Sequence, residues 1–405
     1  MNNELSKRQR VLFLIAVMLS NIAVMGDNVI YTISNNIYNA FPDASGAVNY
    51  ILSGPPLLLV IASLAAPFIL KKVSKRSLLI TGAALFTVGS VLGVVILNPA
   101  WMIATRSIVG IGQGFINVCA ISLVSDVYYE ENLRSRFVGY FNASMNIIGM
   151  LLSYFAGVIA QRSDWTNTFK LYWSAIPMLI MVILFVPKIK PAEELTESSE
   201  ETSETSAKKT GKHGFSFGFW KMIILFFVGA TLCMCVAYYM SVYVSENSLG
   251  GESLTGTAIT VGQIVSFFGA MIYGALYSKL KHRTSLIGYI CILLAMLLWW
   301  LIPSKATVFV VYSLESLGYL ILLTYAYASG PMMVSASRAD LAISIATAAY
   351  GIASFISTYF VSLLMKIMNT SLVSDLIPVL AAISVVILVL DLVLGFKKKE
   401  AKENA

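Results

Sequence analysis

The chain has 405 residues, of which 58% are hydrophobic and 12% are charged, and its mean hydropathy is +0.78. A soluble domain carries about 25% charged residues, so this chain cannot cover a water-exposed surface and is predicted to lie in a membrane. Its net charge of +7 does not indicate nucleic-acid binding, because the basic residues are spread over short loops between apolar segments.

Twelve apolar segments are long enough to cross a bilayer as helices, since a hydrocarbon core of about 30 Å needs roughly 20 residues. In chain order they are 11–38, 48–70, 77–97, 100–127, 137–160, 168–187, 219–245, 254–278, 285–302, 306–334, 341–367 and 373–396. We therefore expect an all-α membrane protein. The first segment is expected to be retained, because no small-residue cleavage site follows it.

One connection differs from the others in length and composition. Residues 188–218 have the sequence KIKPAEELTESSEETSETSAKKTGKHGFSFG, which is rich in Glu, Ser, Thr and Lys. Such a segment can bury little apolar surface. We interpret it as a cytoplasmic polar linker between an N-terminal six-helix half, 1–187, and a C-terminal half, 219–405, that ends in a basic tail.

Lys and Arg are distributed unequally between the two sides of the predicted bundle. Of the 28 Lys and Arg residues, 23 fall on the side of the N-terminus. The positive-inside rule then places both termini in the cytoplasm, in a multi-pass protein of the inner (cytoplasmic) membrane. Two short basic loops on that side contribute Lys71, Lys72, Lys75, Arg76, Lys279, Lys281 and Arg283.

Motifs for metal binding or catalysis are absent from the sequence. The four cysteines lie inside apolar segments and the two histidines in polar loops, so we expect no disulfide and no metal centre. GIGQG at 110–114 lies within an apolar segment without a preceding strand, so it predicts close helix packing rather than phosphate binding. We predict neither enzymatic activity nor a cofactor.

The two halves share a weak internal repeat. FILKKVSKRSLLITG follows the second segment and GALYSKLKHRTSLIG follows the eighth, so each half has a basic turn before a Ser-Leu helix start. Repeated halves are common in transporters. The repeat predicts two pseudo-symmetric six-helix bundles.

These features resemble the major facilitator superfamily over essentially the whole chain. The residues that carry the resemblance are the loops 71–76 and 279–283, RSIVGIGQG at 106–114, Arg134 and Arg136 before Gly139, and DWTNTF at the start of the sixth segment. The resemblance implies the fold of that superfamily and a secondary transporter that moves a small solute by alternating access.

The chain departs from the family pattern in two places. Family members usually have Gly and Asp around the first basic loop, where this chain has Pro67 and Lys71, so its basic residues are expected to act as topological anchors. Drug/proton antiporters commonly have Gly-Pro in the fifth segment, where this chain has Ser153 and Tyr154. The small-residue spacing of that segment still predicts close helix packing.

Three ionisable residues lie well inside the predicted helices: Asp27, Arg106 and Glu315. A charge within the bilayer is costly, so such residues indicate function by default. The resemblance implies that segments 1 and 4 both line a central cavity, and Asp27 and Arg106 fall at similar depths. We expect a direct or water-bridged ion pair between them, which serves either the solute site or packing.

Glu315 lies near mid-depth with no basic residue near it in sequence. Three roles stay open for this carboxyl: exchanging protons, holding a cationic group of the solute, or remaining a protonated core group. Asp27 is a second candidate for the first two roles, and Arg106 for contact with the solute.

Polar residues at helical spacing predict the faces of a central cavity, although interhelical hydrogen bonds use the same residue types. The predicted lining residues are Asn28, Tyr31, Gln113, Asn117, Asn142, Asn146, Tyr239, Tyr243, Gln263, Tyr312, Tyr319 and Tyr350. An aromatic, amide-rich and weakly charged cavity suits an amphipathic organic solute.

The sequence thus predicts a secondary active transporter of a small organic solute, coupled to protons, with efflux favoured. We expect it to work as a monomer in contact with membrane lipids. A flippase for a lipid-linked substrate, an uptake symporter and a uniporter stay open as alternatives.

The predicted orientation can be tested with a cysteine in the linker. In Ser203→Cys, a membrane-impermeant maleimide should label the new thiol only after cells are opened, because the linker is predicted to be cytoplasmic. The chain without the added cysteine is the control for labelling of the four native cysteines. Labelling of intact cells would reverse the orientation.

Overall fold

The computed structural model of the protein describes residues 6–93, 95–128, 131–187, 216–334 and 339–403. Within these ranges the secondary structure is helical and contains no strand. Twelve of the described helices are long and apolar enough to cross a membrane. The predicted all-α architecture is confirmed.

Six transmembrane helices form the N-terminal half. The first, α1, consists of four segments: Lys7–Leu19, Asn21–Val24, Asp27–Thr32 and Ser34–Ala40. The others are α2 (Ser45–Leu70), α3 (Lys75–Gly93), α4 (Pro99–Val127), α5 (Glu131–Arg162) and α6 (Ala175–Phe185), which continues a 3₁₀ segment, Trp165–Ser174. Arg134 and Arg136, which carry part of the family resemblance, belong to α5.

The C-terminal half contains the other six. These are α7 (Phe217–Glu246), α8 (Glu252–Leu280), α9 (Thr284–Leu301), α10 (Lys305–Ser329), α11 (Ala339–Met368) and α12 (Ile377–Glu403). The helix α12 continues through the predicted basic tail. Most of the predicted linker lies outside the described residues, and Ser216 caps the start of α7 through its hydroxyl.

The bundle has two ends, which we call the basic end and the distal end. The basic end is where α1 begins and α12 ends, and it carries both basic loops. At the distal end, side chains cap several helix starts, among them Asn98 for α4 and Ser304 for α10. There Thr166 donates from its hydroxyl and its backbone N–H to the Asp164 carboxylate, and these hydrogen bonds lower the pKa of that carboxyl.

Two residues of the first basic loop connect helices. Lys75 forms an ion pair with Asp126 of α4 at 2.7 Å, and Arg76 donates to the Ile183 carbonyl of α6 at 3.0 Å. The expectation that this loop acts as an anchor is therefore incomplete, because Lys75 and Arg76 also hold α3 against α4 and α6. The remaining basic residues of the two loops are exposed: Lys71, Lys72, Lys279, Lys281 and Arg283.

The glycines of GIGQG allow α4 to approach two neighbouring helices. A methyl group at Gly110 would lie 2.6 Å from the Pro55 carbonyl oxygen of α2. A methyl group at Gly114 would lie 2.4 Å from the Leu59 carbonyl oxygen of the same helix. A methyl group at Gly112 would lie 2.6 Å from the backbone of α3. The motif serves close packing, as the sequence predicts.

Replacing one of these glycines should destabilise the protein. In Gly114→Ala the added methyl group meets the backbone of α2, and such overpacking costs about 1–3 kcal/mol. The matched control is Gly274→Ala, since nothing lies within 4 Å of the position of its methyl group. Thermal unfolding in detergent should show a lower Tm for Gly114→Ala than for Gly274→Ala. Equal Tm values would contradict the close approach of α2 and α4.

Candidate functional site

One interruption of α1 lies directly before Asp27. Around the break, backbone hydrogen bonds connect residues three apart: the Gly26 N–H donates to the Ala23 carbonyl at 3.3 Å, and the Val29 N–H donates to the Gly26 carbonyl at 3.2 Å. Both carbonyls accept a second hydrogen bond from a neighbouring element: Gln113 Nε2 donates to the Ala23 carbonyl at 2.9 Å, and the Tyr172 hydroxyl donates to the Gly26 carbonyl at 3.0 Å. The sequence predicts one continuous helix over this segment. The break is nevertheless built into the packing of the N-terminal half.

The residue that follows the break forms a buried ion pair. Arg106 Nη2 of α4 lies 2.6 Å from Asp27 Oδ1, and the two side chains are 7% and 9% exposed. Arg106 Nε also donates to the Ile51 carbonyl of α2 at 3.1 Å. The structure thus brings together the two residues that the sequence analysis pairs. The guanidinium group connects α1, α2 and α4.

Glu315 of α10 is the buried acid of the other half, with 6% exposure. The Ser316 hydroxyl donates to Glu315 Oε2 at 3.1 Å, and the Cys233 thiol of α7 also hydrogen-bonds to the carboxyl group. None of the three ion pairs in the described part of the chain includes Glu315. One turn earlier, the buried Tyr312 hydroxyl has no hydrogen-bond partner among the described residues. The partners found for this carboxyl are therefore neutral.

Four tyrosines form two ring pairs near the buried acids, and we call them the tyrosine cluster: Tyr31 of α1, Tyr238 of α7, Tyr319 of α10 and Tyr350 of α11. The ring centroids of Tyr31 and Tyr238 are 4.9 Å apart, and those of Tyr319 and Tyr350 are 5.6 Å apart. Tyr350 is close enough to Asp27, Glu315 and Tyr31 for electrostatic interaction with each. The cluster therefore joins the two halves at the depth of their buried acids.

Nearer the distal end, six uncharged residues form hydrogen bonds between the halves, and we call them the distal network: Tyr38, Asn49, Ser53, Tyr239, Thr358 and Ser362. Asn49 Oδ1 accepts from the Tyr38 hydroxyl at 2.7 Å, and Asn49 Nδ2 donates to the Ser362 hydroxyl at 2.7 Å. The Ser53 and Thr358 hydroxyls lie 2.9 Å apart, and the Tyr239 hydroxyl donates to the Thr358 carbonyl at 3.2 Å. These bonds hold α1 and α2 against α7 and α11.

The contact between α5 and α8 closes the distal side in a second place. A methyl group at Gly256 would lie 2.4 Å from the Ser153 carbonyl oxygen, and one at Gly157 would lie 2.7 Å from the Glu252 carbonyl oxygen. Toward the basic end, on the face of α5 that carries Ser153, Asn142 is exposed. The two halves are thus packed together distally along α5 and α8.

Some of the predicted lining residues lie near the buried acids, and others form hydrogen bonds between helices. Tyr31, Tyr312, Tyr319 and Tyr350 surround the acids, as described above. Asn117, Asn146 and Gln263 are half-buried and Asn142 is exposed.

Four predicted lining residues make interhelical hydrogen bonds instead. Gln113 is fully buried against α1, and Tyr239 belongs to the distal network. Asn28 donates to the Gly149 carbonyl of α5 at 3.4 Å, and Tyr243 donates to the Trp299 carbonyl of α9 at 3.1 Å. These side chains bind neighbouring helices to each other rather than facing an open cavity.

Tyr238 is a member of the tyrosine cluster that the sequence analysis missed. Its hydroxyl lies 2.6 Å from the Ser354 hydroxyl of α11. The helix α7 is apolar and buried around most of its circumference. Because Tyr238 and Tyr239 are adjacent and α7 is apolar on all sides, helical periodicity does not indicate which of the two faces the centre of the bundle.

The sequence model of the Major Facilitator Superfamily matches residues 13–358. The chain belongs to this superfamily. The solved structure of a POT family transporter in complex with 5-aminolevulinic acid has a TM-score of 0.77 to this chain at 15% identity, over 96% of both chains. At that identity the likeness shows the fold, and it confirms the two bundles of six helices.

Two curated proteins match shorter stretches of the chain. The Methylenomycin A resistance protein of Bacillus subtilis (strain 168) is 31% identical over 120 residues, which are 30% of this chain and 25% of that protein. The Sugar transport protein MST8 of Oryza sativa subsp. japonica is 31% identical over 140 residues, which are 32% of this chain and 26% of that protein. The matched stretches thus span about a quarter of each relative. Membership of the superfamily and twelve membrane-capable helices among the described residues identify a multi-pass membrane protein of a transporter superfamily.

The buried ion pair predicts strong coupling between Asp27 and Arg106. Asp27→Asn leaves a buried cation unpaired, which costs about 3–5 kcal/mol where burial is deep. Adding Arg106→Gln removes that cation, so the double variant should be more stable than the sum of the single losses predicts. Thermal unfolding of all four proteins in detergent measures the coupling. Additive losses would show that the two side chains do not interact.

Proposed function

We propose that this member of the superfamily is a secondary active transporter that moves a small amphipathic organic solute across the cytoplasmic membrane, coupled to protons and in the direction of efflux. The observation that carries the proposal is Glu315, a buried carboxyl group of the C-terminal half with neutral partners in the described part of the chain. Asp27, at the other side of the tyrosine cluster, has a permanent partner in Arg106.

Alternating access needs two arrangements of the halves, and the contacts described above correspond to one of them. The distal network and the contact between α5 and α8 seal one end, while Asn142 is exposed toward the other. We place the basic end in the cytoplasm on the distribution of Lys and Arg. The solute then enters from the cytoplasm, and breaking the distal network releases it outside.

Proton coupling follows from the cost of an isolated charge. An unpaired carboxylate in apolar surroundings is expensive, so Glu315 must carry either a proton or a cationic partner while it is sealed from water. When the site opens, water solvates the charge and the proton can leave. A carboxyl that alternates between these environments can therefore couple solute movement to a proton gradient.

Two observations support an amphipathic solute and efflux. The tyrosine cluster offers aromatic surface, which favours a solute with an apolar part. One matched relative is named for resistance to an antibiotic, which favours export, whereas another is named for sugar transport. We adopt export on the match to the resistance protein.

Glu315→Gln tests the coupling, because it keeps size and hydrogen bonding but removes the proton and the charge. In proteoliposomes with a panel of amphipathic solutes, the variant should still exchange solute between equal pools but lose accumulation driven by a pH gradient. Proton movement, followed with a pH-sensitive dye inside the vesicles, should stop as well. Glu252→Gln is the matched control, since Glu252 lies in the first turn of α8 at the distal end. Gradient-driven accumulation at the wild-type rate in Glu315→Gln would end the coupling proposal.

A further inference from the structure

The charges inside the membrane do not balance. In the described part of the spanning helices, the buried ionisable groups near the centre are Asp27, Arg106 and Glu315. The first two neutralise each other at 2.6 Å, and Arg106 has a further bond to the Ile51 carbonyl. An ionised Glu315 therefore leaves the centre of the bundle with one net negative charge.

Arg106 is not available to an anionic solute. Its Nη2 donates to Asp27 and its Nε to Ile51, so a carboxylate or phosphate group would have to displace a buried partner. Leaving the Asp27 carboxylate unpaired at this depth is unfavourable. The local electrostatics thus disfavour an anion and favour a cation near Glu315.

The tyrosine cluster offers ring surface. The rings of Tyr31 and Tyr238 form one close pair and those of Tyr319 and Tyr350 another, and the Tyr238 hydroxyl is bonded to that of Ser354. Tyr31, Tyr319 and Tyr350 are half-buried, so part of each side chain is still accessible.

Aromatic rings beside a carboxylate are the combination that binds organic cations. A ring attracts a cation through its quadrupole, and the attraction is stronger where water is excluded. Tyr319 lies one helical turn from Glu315 on α10, and Tyr350 contacts Tyr319 and interacts electrostatically with Glu315. The rings and the acid therefore belong to one site.

We propose that the solute is a monovalent organic cation, a protonated amine or quaternary ammonium group with an apolar or aromatic substituent, held by Glu315 and the tyrosine cluster. This inference rests on the proposed transport function and specifies its substrate class. It gives Glu315 two competing ligands, since one carboxylate cannot be neutralised by a proton and by the cation at once.

Binding of charged probes to the purified full-length protein in detergent tests the site without any gradient. The probes are two cations of different size, benzyltrimethylammonium and tetraphenylphosphonium, and an anion that matches the second in shape, tetraphenylborate. Calorimetric titration should show binding of at least one cation and much weaker binding of tetraphenylborate. In Glu315→Gln the affinity for the cation should fall about tenfold or more, whereas Glu252→Gln should bind like the wild type.

Two variants of Tyr319 test the aromatic contribution and provide a second route if Glu315→Gln folds poorly. Tyr319→Phe keeps the ring and should retain cation binding, while Tyr319→Leu removes the ring and should weaken it severalfold. Size-exclusion profiles and Tm values establish that each variant is folded.

The outcomes separate this inference from the proposed function. Failure of both cations to bind, equal affinity for tetraphenylphosphonium and tetraphenylborate, or unchanged affinity in Glu315→Gln would overturn the cation site. A protein that fails to bind the cations yet accumulates neutral solutes with a pH gradient would overturn this inference alone. Cation binding that is lost in Glu315→Gln, in a protein without proton-driven transport, would support the site and reject the coupling.

Discussion

Around the interruption of α1 before Asp27, two backbone carbonyls accept hydrogen bonds from side chains of neighbouring elements as well as from the backbone of α1 itself. Gln113 and Tyr172 are the side-chain donors, so α4 and the 3₁₀ segment pack against α1 at one depth. At that depth Arg106 lies within 2.6 Å of Asp27. Inside a membrane no water competes for these polar groups, so the contacts around the break position the buried charges of this half.

The two halves provide different partners for their buried acids. Asp27 has a cation as its partner, and the pair connects three helices. Glu315 is equally buried, but its neighbours among the described residues are a hydroxyl and a thiol. A paired charge stabilises one arrangement of helices, whereas an unpaired carboxyl changes its partner with its surroundings. Under the proposed function, this asymmetry assigns the response to protons and solute to the C-terminal half.

Sequence reasoning predicts the twelve helices because hydrophobic length is a local property of the chain. It also pairs Asp27 with Arg106, but that step requires the family resemblance, since nothing local places α1 beside α4. The distal network cannot be predicted in this way, because Asn49 and Ser362 are far apart in sequence and neither is charged. Gln113 shows the limit of polarity as a signal, because its polarity predicts a cavity-lining side chain, whereas the structure buries it against the Ala23 carbonyl beside the interruption of α1. Periodicity identifies polar faces but not the partners that they meet.

The seal at the distal end consists of hydroxyl groups and an amide, with no formal charge among its six residues. A membrane potential does work on charges that move through its field, about 2.3 kcal/mol per elementary charge per 100 mV. Separating the distal network moves no such charge, so the voltage neither drives nor opposes this step through these residues. In a transport cycle the membrane potential acts instead on the proton or the cation that neutralises Glu315. Exchange of one proton for one monovalent cation at that carboxyl would leave the membrane potential without influence on the net reaction.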